Sequence, residues 1–206
     1  MTFPEKTYGS VEDYTSDYFD KCAQAARSVS GEALDKAMKI LETAYLGGHW
    51  VYACGNGGSA SIADHLTCDH GKCVRTDTPL MPRVMSLTAN VAMLTAIAND
   101  ISYEDVYVYQ LQGIAQAGDV LVTISSSGYS ENIVRALSWA RDNGVHTIAM
   151  SGFDGGRSKD LADVALHVDG DNYGIIEDVH QGLMHALSQY IRQVHMDPAL
   201  ITERKF

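Results

Sequence analysis

Trp50-Val51-Tyr52-Ala53-Cys54 runs without a break into Gly55-Asn56-Gly57-Gly58-Ser59-Ala60-Ser61, and a helical pattern follows at once. A short, nearly continuous apolar run is the mark of a strand buried on both faces. A glycine- and serine-rich loop between such a strand and a helix bares backbone amides at the helix start. The same texture recurs downstream. Apolar runs at 84–87, 120–125, 146–150 and 164–168 alternate with helical stretches at about 59–71, 90–98, 103–116, 130–143, 158–162 and 176–195. This alternation predicts an α/β domain with a doubly wound, five-stranded parallel sheet flanked by helices and joined by right-handed crossovers.

Upstream of Trp50 the pattern is purely helical. Ser10 with Asp13 three residues later reads as a capping box, and the helix it opens runs to about Arg27. A second helix covers 32–45, where Ala33, Leu34, Ala37, Ile40, Leu41 and Ala44 form a stripe that must face something apolar. Ser30-Gly31 separates the two helices and Gly47-Gly48 ends the second. Residues 1–48 are therefore expected as an N-terminal helical extension to an α/β core at about 49–196, within one domain spanning 1–206. An apolar stripe outside the sheet implies covering by symmetric self-association.

Composition narrows the function. A chain of 206 residues with 46% hydrophobic and 20% charged residues is globular in character. At this size about 70% of the unfolded surface is buried on folding, so no disulfide or structural metal is needed for that purpose. Lys plus Arg is 15 against 26 for Asp plus Glu, a net charge of −11. That balance excludes broad electrostatic binding to nucleic acid or to an anionic membrane. No run reaches the ~18 apolar residues of a membrane span, and Met1-Thr2-Phe3-Pro4-Glu5-Lys6 does not open a secretory signal. The four cysteines, Cys22, Cys54, Cys68 and Cys73, read as reduced thiols, so a cytoplasmic location is expected.

In open α/β sheets ligands gather outside the carboxyl ends of the strands. Two loops there stand out: Gly55 to Ser61, and Ser125-Ser126-Ser127-Gly128-Tyr129-Ser130 after the run at 120–124. Each precedes a helix and combines close-approach glycines with hydroxyl donors, the parts of a phosphate cradle. Neither is a Walker sequence and neither completes G-x-G-x-x-G, so a phosphorylated small molecule is indicated rather than a nucleotide.

A second cluster lies on the helix after the first loop. His65 and Asp69 are four residues apart and share a face, with Cys68 at its border. Spacing alone favours an ordinary surface pair; a divalent metal such as Zn²⁺ would need two more ligands from elsewhere. The last helix offers Glu177 and His185, eight residues apart on one face, whereas His180 lies about 140° from His185. A site of His65, Asp69, Glu177 and His185 requires the two helices to meet near the strand ends. Cys68, His70 and Cys73 match no zinc module, and Lys72, Arg75 and Arg83 read as solvated surface. Tyr103, Tyr107 and Tyr109 read as core or subunit contacts.

At these residues the sequence resembles the sugar isomerase (SIS) domain proteins, and among them the bacterial phosphoheptose isomerases. The likeness runs from about Ala23 to Gln193. Its markers are Gly55 to Ser61 with His65, Leu94-Thr95-Ala96-Ile97-Ala98-Asn99-Asp100, Gly118-Asp119-Val120-Leu121, Ser125 to Asn132, Gly152-Phe153-Asp154-Gly155-Gly156, and Glu177-Asp178-Val179-His180. The resemblance implies a homotetramer with active sites between subunits, and interconversion of sedoheptulose 7-phosphate and D-glycero-D-manno-heptose 7-phosphate through an enediol. It implies a phosphate held by Asn56, Gly57, Gly58 and Ser59 with Ser125, Ser126, Ser127 and Ser130. It also implies zinc on His65, Asp69, Glu177 and His185, with Asp69 as base, His185 as its acid partner and Glu177 able to replace Asp69.

Three positions depart from the family pattern. Asp69 stands for a glutamate one methylene longer, Glu177 for a glutamine, and Tyr129 for an asparagine in the serine loop. Three readings compete: an isomerase of sedoheptulose 7-phosphate, a non-catalytic SIS protein that binds a phosphosugar or a protein partner, and an isomerase for a different heptose or pentose phosphate whose pocket Tyr129 and Glu177 reshape. Retention of both histidines with carboxylates at the other two positions favours the enzyme.

Overall fold

The computed structural model describes residues 2–206. Five strands, β1 (Trp50–Gly55), β2 (Arg83–Ser86), β3 (Val120–Ile124), β4 (His146–Ser151) and β5 (Val164–His167), form one sheet in the order β2-β1-β3-β4-β5. Every adjacent pair is parallel. Side-chain alternation sends Val51, Ala53, Val120 and Val122 to one core, and Tyr52, Cys54 and Leu121 to another on the opposite face. Two buried faces are why these strands read as unbroken apolar runs.

Among the described residues there are eight α-helices around the sheet, α1 (Val11–Arg27), α2 (Gly31–Gly47), α3 (Gly58–Cys68), α4 (Val91–Asp100), α5 (Val108–Ile114), α6 (Glu131–Asp142), α7 (Gly156–Leu161) and α8 (Tyr173–His195), with α1 packed on α8. The expected cap at Ser10 is present: its hydroxyl accepts from the Asp13 amide at 3.1 Å and donates to the Asp13 carboxylate at 2.8 Å. α2 closes at Gly48, whose φ of 70° is the left-handed conformation that glycine adopts freely.

Three expectations need correction. The α2 stripe is not left for a partner: Ala37, Leu41, Ala44 and Tyr45 are buried in the core shared with β1, β3 and α8. The chain covers this stripe itself. The expected helix over 103–116 is broken into a 3-10 turn, Tyr103–Asp105, and then α5, with the Ser102 hydroxyl bonded to Asp105 at 2.7 Å. The helix expected over 59–71 leaves α geometry at Asp69 and continues as a π-helical turn, Asp69–Cys73. That wider turn buries His70, whose Nδ1 lies 2.6 Å from the Tyr45 hydroxyl on α2.

The strand order reverses between β1 and β3, so the crossovers leave these neighbours in opposite directions and open a crevice at their carboxyl ends. The glycine loop and the serine loop flank that crevice.

Candidate active site

The two loops are joined to each other. Asn56 donates to Asn132 Oδ1 at 2.9 Å, and Asn132 donates back to Asn56 Oδ1 at 3.0 Å. Tyr107 is buried and donates to Asn56 Oδ1 at 3.0 Å and to the Gly55 carbonyl; Tyr103 donates to Asn56 Oδ1 at 3.1 Å. These two tyrosines are thus braces of the glycine loop. Burial raises the proton affinity of Tyr107 further, which keeps it a neutral donor.

In the serine loop, Ser125 and Ser126 are buried. Ser125 Oγ accepts from the Gly128 amide at 3.2 Å, and Ser127 Oγ lies 3.4 Å from the Tyr129 amide. The Ser126 hydroxyl is enclosed and has no hydrogen-bond partner among the described residues, a buried polar group of the kind that a ligand oxygen would satisfy. Ser130 is the N-cap residue of α6, and Ser59 is buried in the first turn of α3. Gly128, at φ 68°, lies so close to Gly155 that any side chain there would strike the Gly155 carbonyl. The Gly128 carbonyl accepts from both the amide and the hydroxyl of Ser158, at 3.0 and 2.9 Å. Tyr129 reaches outward, and its hydroxyl donates to Asp154 Oδ2 at 2.7 Å.

The second centre forms where α3 meets α8. His185 Nδ1 is 2.7 Å from Asp69 Oδ2, and His65 Nε2 is 3.3 Å from Asp69 Oδ1. The imidazole rings stand edge to face with centroids 4.8 Å apart. One donor atom from each of His65, Asp69 and His185 falls within 4.8 Å of the others, the one such group among the described residues. Two nitrogens and a carboxylate oxygen converging from separate helices form a donor set that fits a divalent cation such as Zn²⁺. The shortened Asp69 still reaches both histidines.

Glu177 does not join this group. Its carboxylate packs against Gly58 at the start of α3, where any Cβ would collide with it. Burial, and secondarily the charge of Asp178, raise its proton affinity above that of an ordinary glutamate. The residue one turn on takes the place beside the histidines: the Gln181 amide nitrogen is 3.0 Å from His65 Nδ1 and 2.9 Å from His185 Nε2. Gln181 is four residues before His185, so helical spacing puts it on the same face, but a neutral amide carries no charge to draw the eye.

His180 faces away from His185, as the 140° offset implies. It is fully buried, with Nε2 3.3 Å from the Ser151 carbonyl, and burial lowers its pKa to about 4. Cys68, His70 and Cys73 form no converging group among the described residues, and Lys72, Arg75 and Arg83 are exposed.

The SIS domain family model matches residues 16–152. Phosphoheptose isomerase of Aliarcobacter butzleri is 38% identical over 160 residues, 78% of this chain and 84% of that protein. Phosphoheptose isomerase of Bordetella avium is 39% identical over 170 residues, 81% of this chain and 85% of that protein. The solved phosphoheptose isomerase of Francisella tularensis superposes with a TM-score of 0.82 at 30% identity, covering 89% of this chain and 99% of that one. That of Neisseria gonorrhoeae gives 0.80 at 30% identity, covering 88% and 98%. The chain belongs to the SIS-domain family. Within that family its relatives are phosphoheptose isomerases, and the protein is an isomerase of this group.

Proposed function

We propose that this protein interconverts sedoheptulose 7-phosphate and D-glycero-D-manno-heptose 7-phosphate, with the phosphate seated between the two stapled loops. Donors for its oxygens are the amides of Asn56, Gly57 and Gly58 and the hydroxyls of Ser59, Ser125, Ser126, Ser127 and Ser130. The observation that carries the reading is α3 itself. One end of this helix opens the cradle at Gly58 and Ser59, and its other end bears His65 and, just beyond, Asp69. Ser59 to His65 is about 9 Å of helix rise, at 1.5 Å per residue. That span suits an extended seven-carbon phosphate ester with its carbonyl end at the Asp69–His185 pair, and it is too long for a triose phosphate.

In this arrangement the Asp69 carboxylate takes the proton from the carbon beside the carbonyl and returns it to the neighbouring carbon. His185, hydrogen-bonded to Asp69, serves the oxygens of the enediol. Glu177 stands at the cradle end with an elevated proton affinity and is the second carboxylate available to the sugar. We assign Zn²⁺ to His65, Asp69 and His185. When bound, such an ion supplies Lewis-acid polarisation of the sugar oxygens.

We place the enzyme in the cytoplasm as a homotetramer. All four cysteines are free thiols, and no described helix is long and apolar enough to cross a membrane. Met85 on edge strand β2, Val91 and Met93 on α4, and Tyr109 and Ile114 on α5 line an exposed apolar groove of about 720 Å³, a face suited to a second copy.

The test couples metal content of the purified protein to turnover of sedoheptulose 7-phosphate, followed by NMR with and without chelator. Chelator-sensitive conversion, abolished in Asp69→Asn and His185→Ala, is the expected result. Bound metal without turnover refutes this substrate, and neither metal nor turnover refutes the catalytic reading in favour of a phosphosugar-binding protein.

A further inference from the structure

Gln181 is the group in the centre that the proton-transfer and ligand roles leave unused. Its amide nitrogen is a donor only, with two hydrogens, and it faces two ring nitrogens at hydrogen-bond distance, His65 Nδ1 at 3.0 Å and His185 Nε2 at 2.9 Å. Each of those nitrogens must then carry a lone pair. A neutral imidazole with one lone pair holds its proton on the other nitrogen. For His65 that is Nε2, 3.3 Å from Asp69 Oδ1; for His185 it is Nδ1, 2.7 Å from Asp69 Oδ2. The four side chains close a circuit in which one NH2 serves two rings and two ring N–H groups serve the two oxygens of one carboxylate.

Turning the amide over breaks this consistency. Its oxygen would then require a proton on both facing nitrogens. The nitrogens towards Asp69 would be bare lone pairs against a carboxylate unless both rings carried two protons. Two imidazolium rings with centroids 4.8 Å apart would repel each other.

We propose that Gln181 is the positioning residue of the two-histidine centre, holding the ring orientation of His65 and His185 from outside the ligand set and, in the cation-free state, their tautomers. This rests on the reading of His65, Asp69 and His185 as a cation centre. The nitrogens nearest Asp69 are the ones placed to share a cation with its carboxylate. The outer nitrogens both fall to Gln181. When the proton of each ring moves from the inner to the outer nitrogen, which frees the inner lone pair to act as ligand, each ring becomes a donor on its outer side. A half-turn of the same carboxamide then offers its oxygen to both. A carboxamide supports both states because it has a donor end and an acceptor end; a carboxylate at 181 would have only the second, and a thioether neither.

The experiment is carried out on the full-length chain. In protein freed of divalent cations by chelator, long-range ¹H–¹⁵N spectra of the imidazoles are expected to show His65 protonated at Nε2 and His185 at Nδ1. In Gln181→Met, a near-isosteric change at a half-exposed position, His65, whose Nε2 lies 3.3 Å from Asp69 against 2.7 Å for His185 Nδ1, is expected to lose its Nε2–H preference. Gln181→Glu is expected to move the protons of both rings to the nitrogens facing residue 181. Zn²⁺ affinity, read by competition with a chromophoric chelator, should fall about ten- to a hundredfold in Gln181→Met. Unchanged tautomers in both variants would overturn the proposal, since Asp69 alone would then set them, and unchanged Zn²⁺ affinity would overturn its second half. Wild-type protein that takes up no Zn²⁺ would refute the cation centre, while the cation-free spectra would still decide whether Gln181 sets the tautomers.

Discussion

Asn56 and Asn132, 76 positions apart in sequence, exchange a pair of side-chain hydrogen bonds of 2.9 and 3.0 Å across the crevice between β1 and β3. Each amide uses its donor end on the partner's acceptor end, so the two loops hold a fixed separation without a charge or a ligand. Replacing Asn132 by Ala leaves Asn56 Nδ2 without its partner, and the expected cost is about 1–3 kcal/mol. The KM for the phosphosugar should rise with it. Steady-state kinetics and a urea melt measure both, and an unchanged KM would show that the cradle keeps its shape without this pair.

Gly58 and Glu177 compete for one volume. A methyl group at 58 meets the Glu177 carboxylate, the free end of a flexible, half-exposed side chain, so Gly58→Ala should push that carboxylate aside at a cost of about 0.5 kcal/mol and reduce turnover. Removing the carboxylate in Gly58→Ala/Glu177→Ala should restore part of the stability. Thermal melts of the two single variants and the double variant form the cycle, and strict additivity would refute the contact.

The Tyr45 hydroxyl is the partner of the buried His70 Nδ1, at 2.6 Å. Tyr45→Phe leaves Nδ1 of a fully enclosed imidazole without that partner. A loss of about 1–3 kcal/mol is expected from the midpoint of urea unfolding. A variant as stable as the wild type would mean that the π turn stands without this bond.

Buried histidines also set an acid limit. Burial lowers the pKa of His70 and of His180 from 6.5 to about 4. Between those values the unfolded chain binds protons that the folded chain refuses, so stability rises with pH across this window. The contribution is complete above about pH 6.5 and lost as pH falls towards 4, on the order of 3 kcal/mol for each ring. Urea midpoints measured from pH 7 to pH 4 should fall steeply, and His180→Gln should flatten the curve. A wild-type profile flat over that range would contradict the buried neutral state.

The sheet was legible because its central strands are buried on both sides: Val51 to Cys54 and Val120 to Ile124 are enclosed throughout, and Thr123 is the one polar residue among them. The two loops were legible as strand-to-helix turns at equivalent places in the sheet because glycine and serine cluster there. Where the sequence fell short, the missing information was tertiary. The α2 stripe announces that a face is covered but not by what, and the cover proved to be the chain's own sheet. Tyr103 and Tyr107 show an apolar ring in sequence, while the partner of each hydroxyl lies about fifty residues away. Glu177 and Gln181 occupy successive turns of α8, and helical spacing cannot say which of them the neighbouring helix will meet.

The π turn at Asp69–Cys73 changes how the chain is counted. A π turn is an α-helix with one surplus residue, and each residue of an α-helix advances about 100° around its axis. Up to Asp69, positions four apart share a face; from His70 onward the register has slipped by one place. The turn behaves as an insertion locked into the helix, and deleting Gly71 is the edit that would undo it. That deletion would draw the end of α3 back to α geometry and remove the wider turn that encloses His70 beside Tyr45.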